Sequence, residues 1–359
     1  MKILFCGTNV SEEIEYQVRD ISAAGNRFQN NLVRNLKKCG HEVIECSYVG
    51  VPIPENIRQQ QQGNIVFKTN GLLKSMLAYR RMARKLMDDT DIVMCYNIMY
   101  AWLLLPIWAC QKKKQSIAII ADYSEAESYH RLPGKVYAYL QRVSIQHFDT
   151  VVGLSANIAE KLKEKQRFVL MEGGIDQELY DAFSYQEAKE KNVIHMLYSG
   201  LLSHVTGVDK LLEIMQTVKN PNLRLLISGK GDLEDAVKES AEEDKRIIYL
   251  GHLPYEEYVK KLEEADVLLN PRNMELPENQ NNFPSKIMDY LVAGKTIVST
   301  KFVGWERFQE YIIFCESYEE MAEQLEKITI AQGKEVYDRN RKFAGKFLWV
   351  EQIKRILKK

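Results

Sequence analysis

The chain has 359 residues, of which 45% are apolar and 27% charged. These ordinary globular values exclude disorder, collagen and coiled coil, and the length fits two domains of roughly 150–200 residues each. Lys and Arg (49) balance Asp and Glu (49), which excludes a strongly basic nucleic-acid binder. Residues 1–172 nevertheless carry net +6 and the remainder net −6, so the two halves are expected to meet different partners.

Met1-Lys2 runs directly into the strand-like Ile3–Cys6, with no signal-peptide pattern. The longest apolar run, around MYAWLLLPIWAC, falls short of the ~18 residues a membrane helix needs, so a cytoplasmic protein is expected. A helix over Ala24–Cys39, a strand over Glu42–Cys46, a helix over Leu72–Met87 and strands at Ile92–Cys95, Ser116–Ile120 and Thr150–Val152 follow. The alternation of short apolar runs with amphipathic stretches predicts a parallel sheet covered by helices. Gly173-Gly174 reads as a hinge. Beyond it, strands are predicted at Val193–Tyr198, Arg224–Ser228, Ile247–Leu250, Val267–Asn270 and Thr296–Ser299. Helices are predicted at Val208–Val218, Leu233–Ala241, Tyr255–Glu264 and Pro284–Val292, and Arg341–Lys358 reads as one amphipathic helix. The fold class is therefore α/β, with two Rossmann-like domains facing a cleft. The first spans 1–173, with 345–359 crossing back to pack on it, and the second spans 174–344. None of the six cysteines forms C-x-x-C, so they read as reduced core thiols.

The richest chemistry lies between Leu268 and Thr300. A strand ends at Asn270-Pro271, a long polar loop follows, and a helix opens near Pro284, where proline sacrifices no hydrogen bond. Amides at Ser285 and Lys286, the positive end of the helix dipole and the Lys286 ammonium together make an anion site. Asp289, one turn in, suits ribose hydroxyls. Gly200 allows close backbone approach to a phosphate. Gly7, Gly25 and Arg27 are a second candidate site, at the first strand end and the helix after it. Asp122 follows the strand Ser116–Ile120 and reads either as a group that orients an acceptor hydroxyl or as a helix cap. The D-x-D within Asp88–Asp91 ends a helix away from the expected carboxyl edge, so no metal site is assigned to it, and no His/Cys cluster has zinc spacing. Lys68, Lys74, Arg80, Arg81, Arg84 and Lys85 alternate with Leu72, Leu73, Met76 and Leu77, a basic amphipathic face suited to an anionic lipid surface or to plain solvent.

N-F-P-S-K-x-x-D-Y-L-x-x-G-K followed by a strand, within this two-domain pattern, resembles the GT-B glycosyltransferases of glycosyltransferase family 4, of the polysaccharide-assembly type. The resemblance implies a retaining, metal-independent transferase with no cofactor. It would move a sugar from a nucleoside-diphosphate sugar, UDP first and GDP second, to a hydroxyl of a glycan or lipid-linked glycan. Surface or capsular polysaccharide synthesis, peripheral to the inner membrane face, is the implied setting. Lys286 and Arg272 would stabilise the leaving diphosphate and Asp122 would serve the acceptor. Asn281, Asn282, Phe283, Pro284, Ser285 and Asp289 would line the donor site with Gly200, Gly229, His252 and Leu253, the last two beside the base. The family's E-x7-E falls on Asn281 and Asp289, so the first carboxylate is missing, with Glu275 or Glu278 as substitutes. Basic residues common after the glycine turn are replaced by Leu201 and Thr206. Those departures keep two alternatives open: a non-catalytic GT-B subunit that binds glycan or a partner enzyme, and a nucleotide-sugar epimerase of the same fold.

Overall fold

The short apolar runs become strands buried on both faces, the pattern a parallel sheet demands; Ile3, Leu4, Phe5 and Cys6 have no exposed surface. The computed structural model describes residues 1–11, 14–15, 22–50, 64–68, 71–121, 131–154, 156–164, 166–171, 173–185, 193–273, 275–276, 279, 283–329 and 334–358, the side chains of 23, 24, 72 and 157 apart. Asp122, Asn281 and Asn282 lie outside the described residues. Contacts divide the chain into two units, Met1–Glu172 with Gln352–Lys359, and Gly173–Glu351.

The first unit runs β1 (Lys2–Gly7), α1 (Ala23–Lys38), β2 (Glu42–Val49), β3 (Asn64–Phe67), α2 (Leu72–Met87), β4 (Ile92–Tyr96), α3 (Leu105–Gln111), β5 (Gln115–Ile120), α4 (Leu132–Ile145), β6 (Thr150–Gly153) and β7 (Arg167–Leu170). Among the described residues its strands lie in the order β3-β2-β1-β4-β5-β6-β7, with every pair parallel. The Ser22 hydroxyl caps α1 by accepting from the Gly25 amide (3.2 Å). Buried Leu32, Val33 and Leu36 face α1 inward at helical spacing. On one side of the sheet, Cys6, Cys46 and Tyr79 pack into a single core with Trp102 and Val151.

The second unit runs α5 (Gln177–Asp181), β8 (Ile194–Ser199), α6 (Val208–Thr217), β9 (Leu223–Ser228), α7 (Glu234–Glu243), β10 (Ile247–Tyr249), α8 (Tyr255–Glu264), β11 (Val267–Asn270), α9 (Lys286–Ala293), β12 (Thr296–Thr300), β13 (Ile313–Cys315), α10 (Tyr318–Glu326), α11 (Lys334–Ala344) and α12 (Trp349–Leu357), the last reaching into the first unit. The strand order is β10-β9-β8-β11-β12-β13, again parallel throughout. One core joins Leu197, Leu268 and Ile287 to Phe308 and Phe343, and another joins Met196, Leu211 and Leu225 to Val298 and Met321. In both sheets the strand order reverses beside the first strand, between β1 and β4 and between β8 and β11. Parallel sheets place ligand sites at that reversal, outside the carboxyl ends of the strands.

Several elements differ from the sequence expectation, among them helices α3, α4, α5 and α10, which are absent from the predicted set. Strands β3, β7 and β13 are absent from the predicted set; each is a sheet edge of three or four residues, too short to show a period. The amphipathic stretch 341–358 is two helices. Between them, the Ile175 amide donates to the Phe347 carbonyl (2.9 Å) and the Trp349 amide to the Ile175 carbonyl (3.0 Å), and this parallel bridge requires extended backbone at Leu348. Residues 345–351 consequently group with the second unit, and 352–359 with the first. Finally, α9 begins at Lys286 because Pro284 and Ser285 form a tight turn, in which the Pro284 carbonyl accepts from Ile287 (3.0 Å).

Candidate functional site

The reversal between β8 and β11 is built by glycines. After β8 the backbone continues alongside that of β9, with the Gly200 amide on the Ser228 carbonyl and the Leu202 amide on Lys230, both 2.9 Å. Gly229 has φ +145°, and a Cβ there would stand 1.7 Å from the Gly200 carbonyl oxygen. Gly207 has φ +73°, and its Cβ would stand 1.8 Å from the Pro271 carbonyl oxygen. Both positions combine a left-handed backbone with no room for a side chain. Three loops, after β8, β9 and β11, therefore close on one another.

Two cations occupy this junction. The Lys286 ammonium lies over the Tyr198 ring, 3.9 Å from its centroid. It also sits so close to Gly200 that a Cβ there would meet it at 2.8 Å. Burial, with a further push from the Arg272 charge, lowers the Lys286 pKa to about 7. Arg272 is half-buried, and burial lowers its pKa too. Its carbonyl is fixed by the Thr300 hydroxyl (2.7 Å) and the Tyr318 hydroxyl (3.2 Å). Tyr198 is wholly buried and donates to the Leu201 carbonyl (2.6 Å); burial raises its pKa to about 12, so it stays neutral. Two half-buried cations held side by side are unfavourable alone and become favourable around a dianion.

The amides of Ser285 and Lys286 precede the first hydrogen bonds of α9, whose Ser285 side chain makes no cap. Phe283 anchors this entry, with its ring 5.4 Å from Phe302 and 5.5 Å from Phe308, and Pro284 is buried. Asp289 accepts from the Tyr258 hydroxyl (2.9 Å), which orients its carboxylate. At the head of β10, Tyr249 donates to the Gly229 carbonyl (3.0 Å), while His252 is exposed and Leu253 half-buried. Asn279 ties the loop after β11 to the one after β8 by donating to the Val205 and Asn273 carbonyls (both 2.7 Å).

The two non-basic positions have opposite fates. Leu201 is exposed, and the Thr206 hydroxyl is turned inward, 2.7 Å from the Leu201 carbonyl and 2.9 Å from that of Ser203. Glu275 is exposed on the loop after β11. In the first unit, the Thr8 amide donates to Gln29 (2.8 Å) and the Gly25 amide to Ser22, so both donors are already engaged. Gly7 is buried against Gln29, and Arg27 is exposed. The carboxylates of Asp88 and Asp89 pair with Lys112 and Lys2, and Asp91 accepts from the Lys2 amide (2.8 Å). Among the described residues, no group of three or more His, Cys, Asp or Glu stands where it could hold a metal ion.

Tyr198 and Tyr258 are the site residues the sequence reading missed. Each looks like an ordinary core tyrosine, and the charged side chain it meets, Lys286 for Tyr198 and Asp289 for Tyr258, lies far along the chain.

The family model for Glycosyl transferases group 1 matches residues 194–329, which span β8 through α10 and contain both cations. Residues 194–329 form a group 1 glycosyl transferase domain. No curated protein matches the chain in sequence. Solved structures match in fold over nearly all of both chains. HepE from Anabaena, crystallised with UDP, has a TM-score of 0.68 at 14% identity, covering 99% of this chain and 98% of that one. A glycosyltransferase from Rickettsia africae gives 0.68 at 15% identity, with 99% and 98% covered. The E. coli trehalose-6-phosphate protein bound with UDP-2-fluoro glucose gives 0.65 at 11% identity, with 100% and 99% covered. The two parallel α/β units are the GT-B fold, and the transferase domain holds the cation pair at its strand-order reversal.

Proposed function

We propose that the protein moves a sugar from a nucleoside-diphosphate sugar to a hydroxyl of a glycan or lipid-linked glycan, with retention and without a metal. The observation that carries this reading is the Lys286–Arg272 pair beside Gly200 and the α9 amides, a dianion site within a glycosyl transferase domain. UDP is the first nucleotide to test and GDP the second; HepE with UDP and with UDP and glucose supports that order. As the glycosidic bond to the donor breaks, negative charge grows on the diphosphate, and Lys286, Arg272 and the amides of Ser285 and Lys286 stabilise it. Asp289 holds the ribose, and the leaving phosphate accepts the proton of the attacking hydroxyl. The setting proposed is surface or capsular polysaccharide synthesis beside the inner face of the membrane. Among the described residues no helix is long and apolar enough to cross a bilayer.

The test is release of diphosphate from UDP- and GDP-sugars, with acceptor glycans, in magnesium and in EDTA. Lys286→Ala is expected to lower turnover by roughly 10²–10³, and Asp289→Ala to weaken donor binding mainly. Equal rates in wild type and Lys286→Ala would remove this site from the chemistry. The inward turn of Thr206 and exposed Leu201 favour one rival, a non-catalytic subunit; it would bind diphosphate without turning over any donor.

A further inference from the structure

One face of the first unit is unusually apolar for a surface. Leu132, Val136 and Tyr139 recur at helical spacing on α4 and are 74%, 48% and 66% exposed. On α2, Leu73 and Leu77, one turn apart, are 75% and 50% exposed. Ile107 is exposed on α3. A stripe at helical spacing ordinarily turns inward. Here each helix already has a buried face, with Met76, Tyr79 and Ala83 on α2 and Ala138, Gln141 and Ser144 on α4. The outer stripes are therefore surplus to the core.

The three helices are stitched into one layer. Arg80 of α2 donates to the Tyr100 carbonyl (2.7 Å), and the Tyr100 ring packs, tilted, against that of Tyr137 of α4 with centroids 4.1 Å apart. Arg84 lies over the Trp108 ring of α3 at 5.4 Å. Their charge has a single sign: α2, α3 and α4 carry no Asp or Glu. Lys74, Arg81 and Lys85 of α2, with Lys135 and Arg142 of α4, are exposed around the apolar stripes. Apolar side chains that enter the acyl boundary, flanked by cations that reach headgroup phosphates, match an anionic bilayer surface.

We propose that α2, α3 and α4 together form a docking surface for anionic lipid bilayers, on which the first unit lies with these helices in the plane of the membrane. The charge complementarity selects a bilayer over a second copy of the chain, because two such faces would bring like charges together. The surface is independent of the transferase reading: vesicle binding tests one, and diphosphate binding tests the other.

The experiment is flotation of the full chain with vesicles of phosphatidylcholine alone and of phosphatidylcholine with phosphatidylglycerol. Binding is expected only to the anionic vesicles and is expected to weaken with added salt. Lys74→Glu with Arg81→Glu should weaken it at least about 30-fold. Leu132→Gln with Tyr139→Gln should weaken it while the salt dependence remains. Because all four side chains are exposed, unfolding temperature and UDP binding should not move. The proposal is overturned if wild type ignores anionic vesicles, or if both double variants bind as wild type does. Self-association of wild type that Leu132→Gln with Tyr139→Gln abolishes would also overturn it, and would assign the face to a second copy.

Discussion

Lys286 ties the chemistry to pH. Its free pKa of about 7 lies far below that of an exposed lysine because desolvation and Arg272 both oppose its charge. A diphosphate reverses that balance, so donor binding above pH 7 must bring a proton with it. The dissociation constant for UDP should therefore rise roughly tenfold per pH unit above 7 and flatten below it. Titration calorimetry in buffers of different ionisation heat reads the proton uptake directly, and Lys286→Ala should show neither the uptake nor the slope. The same group shapes stability in the free protein. Between about 7 and 10.5 the unfolded chain holds a proton on Lys286 that the folded one lacks, so Lys286 contributes more favourably to stability as pH rises through that window. Burial keeps the Cys6 thiol protonated well above its usual range, and the hydrogen bond with Cys6, together with burial, does the same for Cys46, which suits core packing and not reactivity. Exposed Cys110 should be the first of these three to react with a thiol reagent, as mass spectrometry of the native protein would show.

At the scale of elements, the glycines after β8 and β9 carry the geometry. Gly229→Ala forces a methyl against the Gly200 carbonyl at an unfavourable φ, so it should cost at least about 2 kcal/mol. Because the displaced backbone is Gly200 itself, UDP binding should fall further than stability does; thermal unfolding and calorimetry on one sample separate the two. The α9 segment was legible in the sequence because its signals are local: a strand end, a turn proline, a lysine and a carboxylate on one helical face. The strand–helix alternation was legible for the same reason, since buried parallel strands read as continuous apolar runs. What stayed hidden depends on distance along the chain. Tyr198 and Lys286 are 88 residues apart, as are no two residues of a local motif, and nothing in Leu197–Asp209 marks Tyr198 as the platform for the ammonium. The break at 345–348 was hidden likewise, because its cause is the backbone of Ile175.

Across the whole molecule, the chain leaves its first unit at Glu172 and returns to it at Gln352. That return is anchored by Ile353 and Ile356, both buried, and by Arg167, which donates to the Ile356 carbonyl (2.9 Å). Ile356→Ala should therefore destabilise the first unit by about 2–5 kcal/mol and leave the UDP affinity of the second unchanged, a separation that limited proteolysis with and without UDP can read. The opposite net charges of the two halves fit this division of labour, since α2, α3 and α4 belong to the basic half and the cation pair to the acidic one.

The central claim is that the Lys286–Arg272 junction binds the diphosphate of a nucleotide. The most direct measurement is thermal unfolding with UDP, GDP, ADP and CMP in turn, in magnesium and in EDTA, for wild type and Lys286→Ala. A diphosphate at 100 times its dissociation constant adds about 2.7 kcal/mol, or roughly 5–10 °C for a domain of this size. The account predicts a shift of that size with one diphosphate, equal with and without magnesium, and lost in Lys286→Ala. No shift with any nucleotide, or an undiminished shift in Lys286→Ala, would contradict it.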